Sequence, residues 1–158
     1  MLLWFAGAAV VLVWVVFHDP AIDHRVLIAG ALLPDLIDAP LGGARVAHTL
    51  LASALLLVAV VLLTRGRRAA RRRWLALPIG TFLHLLVDGV WARSATFWWP
   101  FLGGELSAPL PSFDHGMTVL VLEELAGAIA LVWFWRRFRL AELENRAVFL
   151  RTGRLPRD

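Results

Sequence analysis

The 158-residue sequence contains no cysteine, and its sixteen basic residues are all arginine, with no lysine among them. Without thiolates there is neither a disulfide framework nor a cysteine metal site, so a bound metal would have to be held by histidine and carboxylate. Charge is scarce too: 18% of residues are charged and 59% hydrophobic, where a soluble domain has about 45 to 50% apolar residues. With a mean hydropathy of +0.71, this composition predicts a membrane protein. The pI near 11.4 follows from two arginine clusters rather than from a nucleic-acid groove.

The spans are read from the apolar runs. The first, LLWFAGAAVVLVWVVF, starts at Leu2 with no basic n-region and ends in HDPAID with no small-residue cleavage site, which reads as a retained anchor rather than a signal peptide. Runs over 46–64, 74–91 and 117–135 follow, each near the roughly 17 to 25 residues that cross a bilayer. Segment 26–37 is too short to span and is predicted to be a re-entrant or interfacial half-helix. The expectation is an all-α polytopic membrane protein with about four transmembrane helices in residues 1–135. Residues 136–158 are then a cytoplasmic basic tail, in which Leu140, Leu143, Ala147 and Leu150 form an apolar helical stripe and Glu142 pairs with Arg146.

Orientation follows from arginine. The loop RGRRAARRR carries Arg65, Arg67, Arg68, Arg71, Arg72 and Arg73, and seven more arginines lie after Trp135, leaving Arg25, Arg45 and Arg93 for the other side. The positive-inside rule places loop, tail and both termini in the cytoplasm. Trp4, Trp74, Trp133 and Trp135 then fall at the inner interface, with Trp91, Trp98 and Trp99 at the outer one.

The stretch GTFLHLLVDGVW is apolar, yet His84 and Asp88 sit four residues apart on one helical face. A charge at a bilayer centre costs about 2.5–3.5 kcal/mol, so such groups normally face a protein interior or a wet cavity. Asp35, Asp38, His48, Asp114 and His115 are predicted at the same outer end, joined by His18 and His24 if segment 26–37 is re-entrant. By the helical rise of about 1.5 Å per residue, Glu123 reaches the level of His84; it or its neighbour Glu124, not both, points at the same centre. Asp35, His48, His84 and Asp88 make a two-histidine, two-carboxylate set that suits Zn²⁺ or another divalent first-row ion. Asp38 is either the outer partner of the His48 ring, a direct ligand, or a ligand of a second ion.

These residues carry a resemblance. ALLPDLIDAP resembles the LLPDID-P motif, RVAHTLLAS the HRG-THS motif, and IGTFLHLLVDGVW followed by FWWPF the third motif of the LexA-binding, inner-membrane-associated hydrolases, also called membrane-bound metal-dependent hydrolases. The three motifs occur in the family's order over residues 30–101. This chain has PDLID where PDID is usual, lacks the histidine of HRG before Arg45, has Thr49 in place of serine, and lacks the family's histidine near the start of the first span. The resemblance implies a bacterial inner-membrane location and metal binding by Asp35, His48, His84 and Asp88. Secreted zinc-dependent phospholipases C show a more distant similarity in the order Asp35, His48, His84 and Asp88, His115, Glu123, which points to phosphoester hydrolysis.

The sequence therefore predicts a metal-dependent hydrolase acting on a lipid-linked phosphate ester or phosphodiester at the extracytoplasmic leaflet. A divalent ion, zinc first, lowers the pKa of water and polarises a phosphoryl oxygen. His115 or Glu123 is the candidate acid or base, and Arg45 and Arg93 are candidates for holding phosphate oxygens. Residues 93–113 form an outer loop that is either a lid or a passive connection. The rival reading is a non-enzymatic scaffold or regulator whose tail binds a partner or the inner leaflet.

Overall fold

The computed structural model describes residues 1–93, 95–102, 106 and 116–156, with the side chain of Arg93 excepted. The described chain is helical, with no strand among the described residues. Its elements are α1 (Leu2–Phe17), α2 (His24–Asp38), 3₁₀ turns at Ala39–Leu41 and Val46–His48, and α3 (Leu50–Leu63). These are followed by α4 (Arg68–Trp74), α5 (Ala76–Val87), α6 (Val90–Arg93), α7 (Gly116–Arg137) and α8 (Leu143–Thr152).

The four-span expectation is corrected by helix length. Among the described residues only α7, 22 residues long, has the length and apolarity to cross a membrane. The α1 helix has 16 residues, α3 has 14 and α5 has 12, so at about 1.5 Å per residue none reaches the roughly 30 Å of a hydrocarbon core. The apolar runs 46–64 and 74–91 are longer than α3 and α5 because caps and turns consume their ends. Residues 46–48 form a 3₁₀ turn, and Thr49 caps α3 by accepting the Ala52 N–H at 3.0 Å. The run 74–91 is divided among the end of α4, α5 and α6, with Gly89 at φ 69° between the last two. With those spans goes the multi-pass topology on which the sidedness rested.

Segment 26–37 lies within a longer helix, His24–Asp38. Asp23 caps α2 by accepting the N–H groups of Arg25 and Val26, and the helix runs 15 residues despite Pro34. Pro34 lacks the N–H that would bond the Gly30 carbonyl. The Thr81 hydroxyl of α5 lies 3.2 Å from that carbonyl and 3.2 Å from the Leu77 carbonyl of its own helix, and shares its one proton between them.

Glycine sets how closely α2 and α5 approach. A Cβ on Gly30 would strike the Leu77 backbone, and one on Gly80 would strike the Leu27 carbonyl. The two backbones therefore touch in parallel, which only glycine permits at such a contact. Gly7 and Gly127 join α1 to α7 in the same way. The main core lies on these contacts and includes Val10, Val13, Leu27, Ala31, Phe134 and Phe138.

The ends of the bundle are distinct. Phe5, near the start of α1, stacks on His84 near the end of α5, whereas the α1–α2 turn lies at the other end against residues 153–155. There the His24 N–H donates to the Gly153 carbonyl and the Leu155 N–H to the Pro20 carbonyl, both at 2.9 Å. The two described ends of the chain thus lie at opposite ends of the bundle, where the arginine count had put them on one side. Of the expected tail stripe, Leu140 is buried, while Leu143 and Leu150 are 75% and 62% exposed. Phe138, Leu140 and Leu155 belong to the core, and Phe149 packs against it. Glu142 lies 3.9 Å from Arg139 and accepts from Asn145.

Candidate metal centre

Asp35 lies in the last turn of α2, His48 ends a 3₁₀ turn, and His84 lies in the last turn of α5. The Gly30–Gly80 contact brings these elements together. The His48 Nε2 is 3.5 Å and the His84 Nε2 3.6 Å from the same Asp35 oxygen, Oδ1. One ligand atom from each of the three lies within 4.8 Å of the others, so this group can hold a metal ion. At metal bonds of about 2.0–2.2 Å, two ligands of a tetrahedral ion sit about 3.4 Å apart. The two histidine-to-carboxylate distances match such tetrahedral edges.

The other ring nitrogen of each histidine is already committed. His84 Nδ1 lies 2.7 Å from the Ala31 carbonyl oxygen, which only accepts, so Nδ1 carries the proton and donates. His48 Nδ1 lies 2.8 Å from Asp38 Oδ2, and the same oxygen accepts the N–H groups of Arg45 at 2.8 Å and His48 at 3.2 Å. Asp38, fully buried, thus folds the 39–48 loop and orients the His48 ring. Both Nε2 atoms are left buried without a hydrogen-bond partner. A buried acceptor left unpaired is costly, and here two aim at one carboxylate oxygen.

Burial works in different directions on the three groups. It pulls His84 down to about 4, against the opposing charge of Asp35, which keeps the imidazole neutral as a metal ligand must be. Burial also lowers His48, but the Asp35 and Asp38 carboxylates beside it outweigh that and raise it. For Asp35, burial raises the carboxyl, and the neighbouring His48 and His84 rings bring it below the ordinary value.

Asp88 caps α5 and is 3% exposed. It lies four residues after His84 but outside the three-residue group. Arg45 binds Asp38 through its backbone, and its side chain is exposed. Glu123 is half-buried on α7 and outside the group, while Glu124 accepts the Leu3 N–H at 3.1 Å, at the start of α1. His18 and His24 lie at the opposite end of the bundle, after α1. Asp114, His115 and the Arg93 side chain lie outside the described residues, as does most of the expected lid.

Sequence reasoning missed Phe5, whose ring centroid lies 3.9 Å from that of His84, and the Ala31 carbonyl. A carbonyl leaves no mark in a sequence; the paired small residues Gly30 and Gly80 were the only available sign of the close contact. No family model, curated protein or solved structure matches the chain.

Proposed function

We propose that Asp35, His48 and His84 hold a divalent cation, zinc in the first place, and that the chain is a metal-dependent hydrolase of a lipid-linked phosphate ester or phosphodiester. One observation carries the reading. Two buried Nε2 lone pairs, each fixed by an acceptor on the opposite ring nitrogen, face one carboxylate oxygen at tetrahedral spacing. When bound, such an ion supplies a water of lowered pKa and polarises a phosphoryl oxygen.

The chain's own residues do the positioning. Asp38 and the Ala31 carbonyl hold the two rings, the Phe5 ring covers His84, and Asp88, one turn beyond His84, is the next carboxylate to complete the ligand set or take a proton. The lipid half of the reading is supported by an apolar groove of about 500 Å³ between α1, α3 and α5, lined by Leu12, Val16, Leu50, Leu57, Phe82 and Leu86 among others. Leu50 lies two residues from His48 and Leu86 two from His84, so a hydrocarbon chain in the groove would leave its head at the cluster. The resemblance to membrane-bound metal-dependent hydrolases agrees with both halves.

The test is metal content and turnover together. Purified protein should carry zinc that His84→Ala loses, and should cleave a lipid phosphomonoester or phosphodiester until chelated. Metal absent from the wild type overturns the centre; zinc bound without turnover across the lipid panel overturns the hydrolase.

A further inference from the structure

The end of the bundle away from His84 gathers arginines from three separate parts of the chain. Arg25 lies in the first turn of α2, Arg72 and Arg73 lie on α4, and Arg151 and Arg154 flank the end of α8. With Asp23 they line a cavity of about 310 Å³. The sequence had put Arg25 across the membrane from the other four.

The frame of this cavity is tied together by hydrogen bonds and ion pairs. Asp23, 2% exposed, accepts from Arg25 Nε at 3.2 Å and Nη2 at 3.0 Å and pairs with Arg73 Nε at 3.2 Å. Arg25 also donates through Nη1 to the Leu150 carbonyl. Gly153, at φ 72°, passes so close to Asp23 that a Cβ would overlap the carboxylate. Arg72 pairs with Asp19 at 2.7 Å. Arg151 and Arg154 make no ion pair among the described residues. Among the described residues, five guanidinium groups meet two carboxylates, Asp19 and Asp23, an excess of three positive charges around one concavity.

We propose that this cavity binds a phosphate-bearing anion. Arg151 and Arg154 pair with its oxygens, and Arg25 and Arg73, held by Asp23, form the positive floor. The planar guanidinium fork matches phosphate oxygens in pairs, and binding would offset charges that now repel one another. The site is separate from the metal cluster: Phe5 and Phe17 at the two ends of α1 are about 18 Å apart by helical rise. An anionic phospholipid headgroup and a free oligophosphate offer the same chemistry.

Full-length protein in an uncharged maltoside detergent would be titrated with inorganic pyrophosphate, and in parallel floated with phosphatidylcholine vesicles with and without phosphatidic acid. Arg151→Ala with Arg154→Ala is compared with Arg65→Ala with Arg67→Ala, which removes the same charge from an exposed loop outside the cavity. At least one probe should bind saturably, weakened tenfold or more by the first pair and less than twofold by the second. Pyrophosphate binding identifies a soluble phosphate compound as the ligand; binding confined to phosphatidic acid vesicles identifies a lipid headgroup. If the double variant loses helical circular dichroism, Arg154→Ala alone, outside any helix, is read by the same criterion. Equal weakening by the two pairs, or no binding of either probe, overturns the site.

Discussion

His84 Nδ1 lies 2.7 Å from the carbonyl oxygen of Ala31, across the contact between α5 and α2. A peptide carbonyl cannot donate, so this one bond sets the tautomer of a fully buried ring and turns its Nε2 lone pair toward Asp35. The bond exists because Gly30 and Gly80 let the two backbones meet. Helix packing and ligand geometry are therefore one feature.

Asp38 orients His48 from outside the Asp35–His48–His84 group, so on the proposed reading Asp38→Asn should leave zinc bound but lower its affinity about 10- to 100-fold, as loss of an outer partner does. Competition with a chelating dye measures this. An unchanged affinity would show that the His48 ring needs no such support.

Gly80→Ala should act on stability and on the centre together. The added methyl meets the Leu27 carbonyl, and overpacking of this kind costs about 1–3 kcal/mol. Because relief requires α5 to move from α2, the His84–Ala31 bond lengthens and zinc affinity falls as well. Denaturant unfolding and zinc titration of one sample check both; lost stability with unchanged zinc affinity would uncouple them.

Ala54 is exposed on the groove wall, with open space beside it, and Ala54→Phe should fill part of that space. Turnover of long-chain lipid phosphoesters should then show a raised KM, with water-soluble short-chain esters unaffected. Equal effects on both would mean the groove does not receive the chain.

Burial holds His24 below its ordinary value of 6.5, against the pull of the Ile22 and Gly153 carbonyls and of Asp23 and Asp19. The unfolded chain takes up the proton first as pH falls, so the stabilisation is full above about 6.5 and declines toward the folded pKa. His24→Phe, which keeps a ring against Phe134, should unfold with a shallower loss between about pH 7 and 5. Parallel pH profiles of the two proteins would assign that slope elsewhere.

The helical class was legible in the sequence because long apolar runs are a local property of the chain. The candidate group was legible as residue types: His48, His84 and Asp35 stand out in apolar surroundings where a polar group is costly. Tertiary structure alone decided the rest. The helices α3 and α5 fell short of their apolar runs because caps such as Thr49 and turns such as Gly89 end a helix within a run that hydropathy reads as continuous. The sides assigned to Arg25 and to the chain's start failed for the same reason, since counting charges loop by loop presumes that every run crosses once. Asp35, His48 and His84 became one group, and Arg25, Arg73 and Arg154 another, only when backbone contacts at Gly30, Gly80 and Gly153 brought distant segments together. No local pattern encodes a distance between segments; packing sets it.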